Sequence, residues 1–309
     1  MKMYVGITDY SWFKTLKREN CDEINFWKPG GKINFKALNE GELFLFKLHS
    51  PNDYIVGGGF FLKFSILPSS LAWEAFGVAN GANSLTELNE RVYKYRKTSR
   101  LSDPDPYIGC IILSNPFYFD ESDWIPVPKN WSKNIVQGKT YDTSEPYGRS
   151  LYQQVQQRLT RQSPHLSAVK AQSPQIYYGK EQNIKPRIGQ GAFKVLITDA
   201  YQRRCSITGE KTLPVLEAAH IKPYSLKGPH EVKNGLLLRR DLHTLFDRGY
   251  ITIDKQLNIE VSRRIKEDFG NGKEYYTYHG QKLSILPKTK EHQPGHNYLQ
   301  WHNENVYLG

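Results

Sequence analysis

The sequence predicts an α+β protein of two domains, and three observations lead to this prediction. The 309 residues are enough for two hydrophobic cores of ordinary size. Residues 1–145 contain short β-branched and aromatic runs between turn-forming residues, whereas residues 187–309 alternate helical and strand patterns. Between them, residues 146–186 begin with a helical pattern and continue as a polar, proline-containing stretch that is typical of a linker.

The strands of the first domain are predicted from apolar runs of strand length, which span 42–48, 60–66 and 108–113. The triplet Gly57-Gly58-Gly59 lies between the first two runs. It indicates either a tight connection or a close approach of two backbones. The strands of the second domain are predicted over 215–221, 235–238, 251–254 and 257–261.

Helices are predicted where apolar periodicity follows a capping residue or a polar boundary, and they span 84–97, 146–159, 191–203 and 241–248. Ser84 is the expected N-cap of the first, with Glu87 three residues later completing a capping box. Asp241 is the expected N-cap of the last.

Composition and charge narrow the function class. The sequence has no run of 18 apolar residues and no apolar segment typical of a secretory signal after its N-terminus, so we expect no membrane span and a cytoplasmic location. Its three cysteines, Cys21, Cys110 and Cys205, are odd in number and scattered, which is typical of a reducing compartment.

The net charge of +11 is unevenly distributed. Residues 1–145 hold 17 basic and 17 acidic side chains, whereas residues 146–309 hold 25 and 14. This division indicates that the second half binds a polyanion electrostatically while the neutral half has a different task. A basic surface retained for solubility explains the charge equally well.

The residues that could carry chemistry are His220, Asn234, His243 and Asp247, which lie in the predicted strand–strand–helix segment. His243 and Asp247 are four residues apart and share one helix face. A histidine and a carboxylate that converge on one point can bind a divalent cation, and a second histidine nearby can accept a proton from water. Each feature alone has a structural explanation: a core histidine, a helix ion pair and an Asn-Gly turn.

The combination resembles a known family. Leu216-Glu-Ala-Ala-His-Ile-Lys-Pro223, Asn234-Gly-Leu-Leu-Leu238 and Asp241-Leu-His-Thr-Leu-Phe-Asp-Arg-Gly249 resemble the HNH endonuclease motif of restriction-type nucleases. Cys205-Ser-Ile-Thr-Gly209 and Tyr298-Leu-Gln-Trp-His302 resemble flanking parts of the same domain. The resemblance spans residues 187–305.

The resemblance implies a ββα-metal nuclease domain over residues 187–309. In such a domain His220 is the general base, Asn234 holds the loop that orients it, and His243 binds the metal with Asp247 as a second ligand. The cation is expected to be Mg²⁺ or Mn²⁺, which stabilises charge on the scissile phosphate.

Two positions depart from the family pattern. Many members place a metal-binding Asp or His directly before the general base, but this chain has Ala219 there, and Glu217 is the candidate replacement. Some relatives carry paired cysteines for a structural zinc. Here Thr208 follows Cys205 at the matching spacing, so we expect no structural zinc and a core role for Cys205.

Basic residues surround the motif and are candidates for binding the DNA backbone. They are Arg203, Arg204, Lys222, Lys227, Arg239, Arg240 and Arg248. A solvated basic face is the competing explanation.

The first 145 residues resemble, more loosely, the PUA-like barrels that include the EVE and ASCH domains. The segments are Gly41-Glu-Leu-Phe-Leu-Phe-Lys47, Ile55-Val-Gly-Gly-Gly-Phe-Phe61 and Trp73-Glu-Ala-Phe-Gly77. The resemblance implies a β-barrel-type domain that reads DNA, with a flipped modified base held among aromatic side chains. The sequence does not select the pocket residues from the pool of Trp12, Trp27, Phe60, Phe61, Trp73, Phe76, Tyr118 and Trp124.

Three functions fit these observations. The first is a metal-dependent, modification-dependent restriction endonuclease acting on double-stranded DNA. The second is a restriction endonuclease that reads unmodified bases, and the third is a DNA-binding protein whose nuclease site has decayed, as Ala219 could indicate. The sequence leaves open the modification, the choice between nicking and double-strand cleavage, and whether the protein is a monomer or a homodimer.

Overall fold

The computed structural model describes residues 1–31, 34–166 and 189–309, and it describes side chains for residues 1–31, 34–161 and 189–309. The chain divides into two compact units, Met1–Arg187 and Ile188–Gly309. Each unit has a hydrophobic core of its own. Most of the segment predicted to be a linker lies outside the described residues.

The first unit combines one sheet with four α-helices in its described part. The strands are β1 (Lys2–Thr8), β2 (Glu23–Lys28), β3 (Leu43–Leu48), β4 (Tyr54–Pro68), β5 (Tyr107–Tyr118), β6 (Ile125–Pro126) and β7 (Gly138–Asp142). The helices are α1 (Tyr10–Glu19), α2 (Ser69–Phe76), α3 (Leu85–Arg96) and α4 (Pro146–Leu166). Half of the predicted capping box is present at α3: the Ser84 side chain accepts a hydrogen bond from the Glu87 amide, but the Glu87 carboxylate accepts one from the Asn83 amide instead of the Ser84 amide.

The expected closed barrel is not seen. The sheet follows the order β2-β5-β4-β3-β1-β7, with β6 paired to β4 off this path. β1 and β3 are parallel and the other pairs are antiparallel. Closure would require β2 to pair with β7, but in the described chain each of these strands has a single partner, so both remain edges. The first unit is therefore a mixed α/β structure whose sheet is open.

The glycine triplet belongs to the interior of β4 and not to a turn. A Cβ on Gly58 would lie 2.6 Å from the Phe44 carbonyl oxygen and 2.6 Å from the Phe117 ring. The triplet therefore permits close backbone approach, which is one of the two alternatives that the sequence left open. Register shifts on either side of Phe60 accompany it and bend the strand.

Alternation along the central strands separates two apolar faces. One face carries Phe44 and Phe46, which contact Phe26 on β2 and Trp12 on α1. The other face packs against α4 through a cluster that includes Met3, Val5, Leu43, Leu45, Tyr141, Leu151 and Val155. Helix α4 is therefore part of the first unit, although its sequence predicted a connector.

The second unit is built from short elements around a single core. Its helices are α5 (Gln190–Ala200), α6 (Arg240–Asp247), α7 (Arg264–Phe269), α8 (Lys273–Tyr276) and α9 (His296–Asn305). Its strands are β8 (Leu216–His220), β9 (Gly235–Arg239), β10 (Ile251–Ile253) and β11 (Ile259–Val261). β8 pairs antiparallel with β9, and β10 pairs antiparallel with β11.

The expected capping role of Asp241 is wrong. Arg239 occupies the N-cap position of α6 and has no side-chain capping bond, while Asp241 lies in the first turn. The Asp241 carboxylate instead binds the Arg239 guanidinium through two contacts of 2.7 Å. A carboxylate in the first turn still stabilises the helix through its dipole.

No helix in the described part of the chain is both long and apolar enough to cross a lipid bilayer.

Candidate active site

The strand–strand–helix frame brings the candidate residues to one region. His220 is the last residue of β8 and pairs with Gly235, the first residue of β9. Helix α6, which carries His243, begins immediately after β9 ends. Glycine at position 235 lets α5 approach closely, because a Cβ would lie 2.4 Å from Ile197 Cδ1 and 2.8 Å from Phe193 Cζ and these side chains would have to shift. Helix α5 thereby packs closely against the hairpin.

The His220 imidazole is half-buried and held from two sides. It stacks on Phe193 with a centroid distance of 3.9 Å and an interplanar angle of 12°. Its Nε2 lies 3.0 Å from Nδ1 of His230, which in turn stacks on Tyr224 at 4.4 Å. His230 was missed at the sequence level, because its spacing from His220 matches no recognised motif.

Asn234 ties together the loop that follows His220. Its side chain is buried, and its Oδ1 accepts a hydrogen bond of 2.9 Å from the Lys222 amide. Its Nδ2 donates to the carbonyls of Lys222 at 3.0 Å and Pro229 at 2.9 Å. One side chain therefore ties Lys222, two residues after His220, to Pro229, the residue directly before His230.

His243 lies between two carboxylates. Its Nδ1 is 2.8 Å from Glu217 Oε2, and its Nε2 is 3.2 Å from Asp247 Oδ2. The other Glu217 oxygen accepts a hydrogen bond of 2.7 Å from Arg240. The three residues Glu217, His243 and Asp247 thus form a continuous chain along one face of the hairpin and α6.

The pKa values of the two carboxyl groups, Glu217 and Asp247, are shifted in opposite directions. Partial burial of the Glu217 carboxyl opposes ionisation, but the hydrogen bonds from His243 and Arg240 outweigh it and lower the pKa of Glu217. Desolvation raises the pKa of Asp247; the His243 charge opposes this shift, and the Glu217 charge adds to it. Glu217 is therefore the more firmly ionised partner and acts as a hydrogen-bond acceptor for His243.

The His220 ring is held in its neutral form. Burial lowers its pKa to about 4, with further contributions from the His230 and His243 charges. Burial likewise lowers the pKa of His230. A neutral imidazole at neutral pH has a lone pair available to accept a proton.

The residues around His243 fit a divalent cation. Since an ionised Glu217 only accepts, Nδ1 of His243 carries hydrogen, and the neutral ring keeps a lone pair on Nε2, which lies 3.2 Å from Asp247 Oδ2. Neighbouring ligands of an octahedral Mg²⁺ are about 3 Å apart, which matches the 3.2 Å separation. In the described ranges, no preformed group of three or more His, Cys, Asp or Glu ligands is present.

The two departures from the family pattern involve Ala219 and Cys205, which are both buried in the core of the second unit. Ala219 is fully buried and packs in the core, so the position before His220 supplies no ligand. Cys205 is also fully buried, and its sulfur accepts weak hydrogen bonds from the Arg239 and Thr208 amides. The expected core role of Cys205 is confirmed.

The basic residues around the site fall into two groups. Arg239 and Arg240 are bound to carboxylates, since Arg239 contacts Asp241 and Glu274 and Arg240 contacts Glu217. The Lys222 ammonium lies 5.5 Å from the Trp301 ring centroid. Lys227 and Arg248 are exposed, whereas Arg203 and Arg204 are half-buried near the end of α5.

In the first unit, the pool of aromatic residues divides by burial. Trp12, Phe61 and Phe76 are buried core residues. Trp124 is half-buried and contacts two exposed tyrosines, Tyr54 at 5.8 Å and Tyr10 at 6.5 Å between ring centroids. A cleft of about 320 Å³ adjoins Tyr10 and is lined by Asp9, Tyr10, Ser11, Arg91, Lys94 and Tyr95. Neither tyrosine stood out in the sequence.

Comparison with known proteins agrees with the geometry of the second unit. Residues 205–254 match the family model described as HNH endonuclease. This segment contains β8, the loop, β9 and α6, so this part of the second unit is similar to HNH endonucleases.

No curated protein matches the chain. Among solved structures, the chain is similar to one described as "Modification dependent TagI restriction endonuclease". The identity is 13% and the TM-score 0.28, with 92% of this chain and 75% of that chain covered.

Proposed function

We propose that the protein is a metal-dependent endonuclease that hydrolyses double-stranded DNA, with His220 as general base and His243 and Asp247 as metal ligands. One observation carries the metal assignment: His243, whose Nδ1 is bonded to Glu217, has its Nε2 3.2 Å from the Asp247 carboxylate. The net charge of +11 supports a polyanionic substrate.

In the reaction, the neutral His220 ring removes a proton from the attacking water, and the oxygen of that water forms the new bond to phosphorus as the ester oxygen departs. His243 and Asp247 would hold a divalent cation, which would supply electrostatic stabilisation of the phosphate and the leaving oxygen when bound. Glu217 orients the His243 ring by accepting its Nδ1 hydrogen, a role that carboxylates commonly have behind metal-binding histidines.

Asn234 contributes by holding the loop that begins at His220. Lys222, Lys227 and Arg248, with Arg204, contact backbone phosphates, whereas Arg203 is paired with Asp199 at the end of α5. Arg239 and Arg240 are neutralised by carboxylates, so we assign them mainly to fixing the frame of α6 and Glu217.

The metal assignment is tested by calorimetric titration of the full chain with Mn²⁺ and Mg²⁺. We expect His243→Ala and Asp247→Ala each to weaken binding by about 10-fold or more, and Glu217→Gln to weaken it less. The matched control is His279→Ala, because His279 also lies near a carboxylate, Glu260, but on another element. Unchanged metal affinity in both ligand variants, or full cleavage in excess EDTA, would contradict the metal role.

We further propose that the first unit selects the substrate by reading a modified base. Residues 1–145 carry equal numbers of basic and acidic side chains, and the first unit has exposed aromatic residues. Both features support selection of the DNA substrate by stacking and base-edge contacts. The cleft beside Tyr10 combines aromatic rings, the Asp9 carboxylate and two basic residues, which suits a base and its phosphate.

Cleavage of methylated, hydroxymethylated and plain duplexes distinguishes this proposal from its alternatives. We expect cleavage of one modified duplex and weak cleavage of plain DNA. Equal cleavage at a fixed sequence would favour an enzyme that reads unmodified bases. Binding without cleavage under any metal condition would favour a decayed nuclease.

A further inference from the structure

The partner of the His220 ring is another histidine. Nε2 of His220 and Nδ1 of His230 are 3.0 Å apart, which is hydrogen-bonding distance. Both rings are half-buried, and each is stacked on an aromatic ring, Phe193 for His220 and Tyr224 for His230. The geometry of the pair is therefore fixed from both sides.

Only one of the two nitrogens in this contact can carry hydrogen when both rings are neutral. If His230 donates, the Nε2 lone pair of His220 is occupied and its hydrogen lies on Nδ1, so neither nitrogen is free to accept. If His220 donates, its Nδ1 keeps an open lone pair. Only the second arrangement is compatible with a general base.

We propose that His230 is a positioning residue that accepts the Nε2 hydrogen of His220 and holds it in the tautomer with a basic Nδ1. This proposal rests on the proposed role of His220 as general base. When Nδ1 of His220 takes a proton from water, the Nε2 hydrogen remains bonded to His230, whose lone pair stabilises the resulting imidazolium.

The loop is built to hold His230 in this place. Asn234 donates a hydrogen bond of 2.9 Å to the carbonyl of Pro229, the residue directly before His230. The Tyr224 ring stacks on one face of the His230 ring at an interplanar angle of 14°. Burial keeps both rings of the pair neutral before the reaction, as their lowered pKa values indicate.

The proposal is tested with two variants of the full chain. His230→Phe keeps a ring that can stack on Tyr224 but removes the acceptor, and His230→Asn retains an acceptor oxygen near the position of Nδ1. We expect His230→Phe to lower kcat by about 10- to 100-fold with KM changed little, and His230→Asn to recover most of kcat. The double variant His220→Ala/His230→Phe should be no slower than His220→Ala alone.

A measurement independent of activity uses ¹⁵N-histidine labelling of the parent protein. The ring nitrogen shifts of His220, assigned with His220→Ala, should show hydrogen on Nε2 and a bare Nδ1. Hydrogen on Nδ1 would overturn the proposal even if the His230 variants fail to fold. Parental kcat in His230→Phe, alongside an inactive His220→Ala, would also overturn it, whereas an active His220→Ala would contradict the proposed function itself.

Discussion

At the scale of single residues, His220 is the group on which the proposed chemistry depends. We expect His220→Ala to lower the cleavage rate by about 10²- to 10⁴-fold, because a positioned base contributes that much to proton transfer. DNA affinity should change little, since the ring is half-buried against Phe193 and carries no net charge. Single-turnover cleavage and a binding titration on the same duplex measure the two effects.

His292→Ala is the control for that experiment, because His292 is exposed and lies outside the hairpin and α6. It should cleave at the parental rate. A His220→Ala variant that also cleaves at the parental rate would remove His220 from the mechanism.

His302 shows how a histidine in a motif can be structural. Its Nε2 donates to the Phe246 carbonyl at 3.1 Å, and its Nδ1 is 2.7 Å from the Thr252 hydroxyl. It is 2% exposed, and burial lowers its pKa to about 4. The ring therefore connects α9 to α6 and β10 and has no access to substrate.

This burial predicts loss of stability in acid. The unfolded chain binds a proton at His302 near pH 6.5 and the folded chain only near about 4, so stability is full above pH 6.5 and falls between these values. The loss reaches about 3 kcal/mol for a shift of this size. Urea unfolding of fragment 167–309, whose only tryptophan is Trp301, measures it at pH 7.5 and 5.0.

His302→Gln is the matched variant, because glutamine can still donate to Phe246 but does not titrate. It should be less stable at pH 7.5 and show a weaker dependence on pH. His220 also titrates near 4 and remains in both proteins, so some dependence persists. An identical pH dependence in parent and variant would contradict the assignment to His302.

At the scale of elements, the loop between β8 and β9 depends on Asn234. We expect Asn234→Ala to lower the free energy of unfolding by about 2–4 kcal/mol, because three partly buried backbone groups lose their partners. It should also lower kcat, since the loop positions both His220 and His230. Thermal unfolding and steady-state cleavage at a temperature where the variant is folded measure these effects.

Asn303→Ala separates stability from function in that test. Asn303 also bonds two backbone carbonyls, those of Ile253 and Leu299, but lies on α9 away from the loop. It should destabilise the protein while leaving kcat unchanged. If Asn234→Ala behaves in the same way, Asn234 contributes to folding alone.

The elements of the site were predictable because local patterns determine them. Apolar runs located β8 and β9, and the four-residue spacing placed His243 and Asp247 on one face of α6. The carboxylate bound to Nδ1 of His243 depends on the strand-to-helix packing, so Glu217 was only a candidate. Arg239 competes for Asp241, which explains the wrong capping prediction.

The first unit was less predictable because its topology depends on long-range pairing. The parallel pairing of β1 with β3 joins strands separated by α1 and β2, and no short sequence pattern specifies it. Helix α4 has apolar residues that suit either a connector or a packed helix, and only the sheet surface decides between them. The same limit applies to Tyr10 and Tyr54, which contact Trp124 only after the sheet has formed.

At the scale of the whole molecule, charge is divided along the chain. Residues 1–166 carry 20 basic and 17 acidic side chains, and residues 167–309 carry 22 and 14. Because α4 packs on the first sheet, a cut after residue 166 preserves the core of each unit better than a cut at residue 145. The two fragments therefore allow binding strength and base selection to be measured separately.

We expect fragment 167–309 to bind plain and modified duplexes equally, with affinity that falls steeply as salt rises, because phosphate contacts release counterions. Fragment 1–166 should bind with a shallower salt dependence and prefer one modified duplex, since stacking and base-edge contacts do not depend on net charge. In the full chain, Tyr10→Ala/Tyr54→Ala should reduce this preference while leaving cleavage of the least preferred duplex unchanged. Tyr147→Ala is the control, because Tyr147 is a similarly exposed tyrosine on α4. Equal binding of all duplexes by fragment 1–166 at both salt concentrations would mean that the first unit is not the reader, and selection would then have to arise within the nuclease unit.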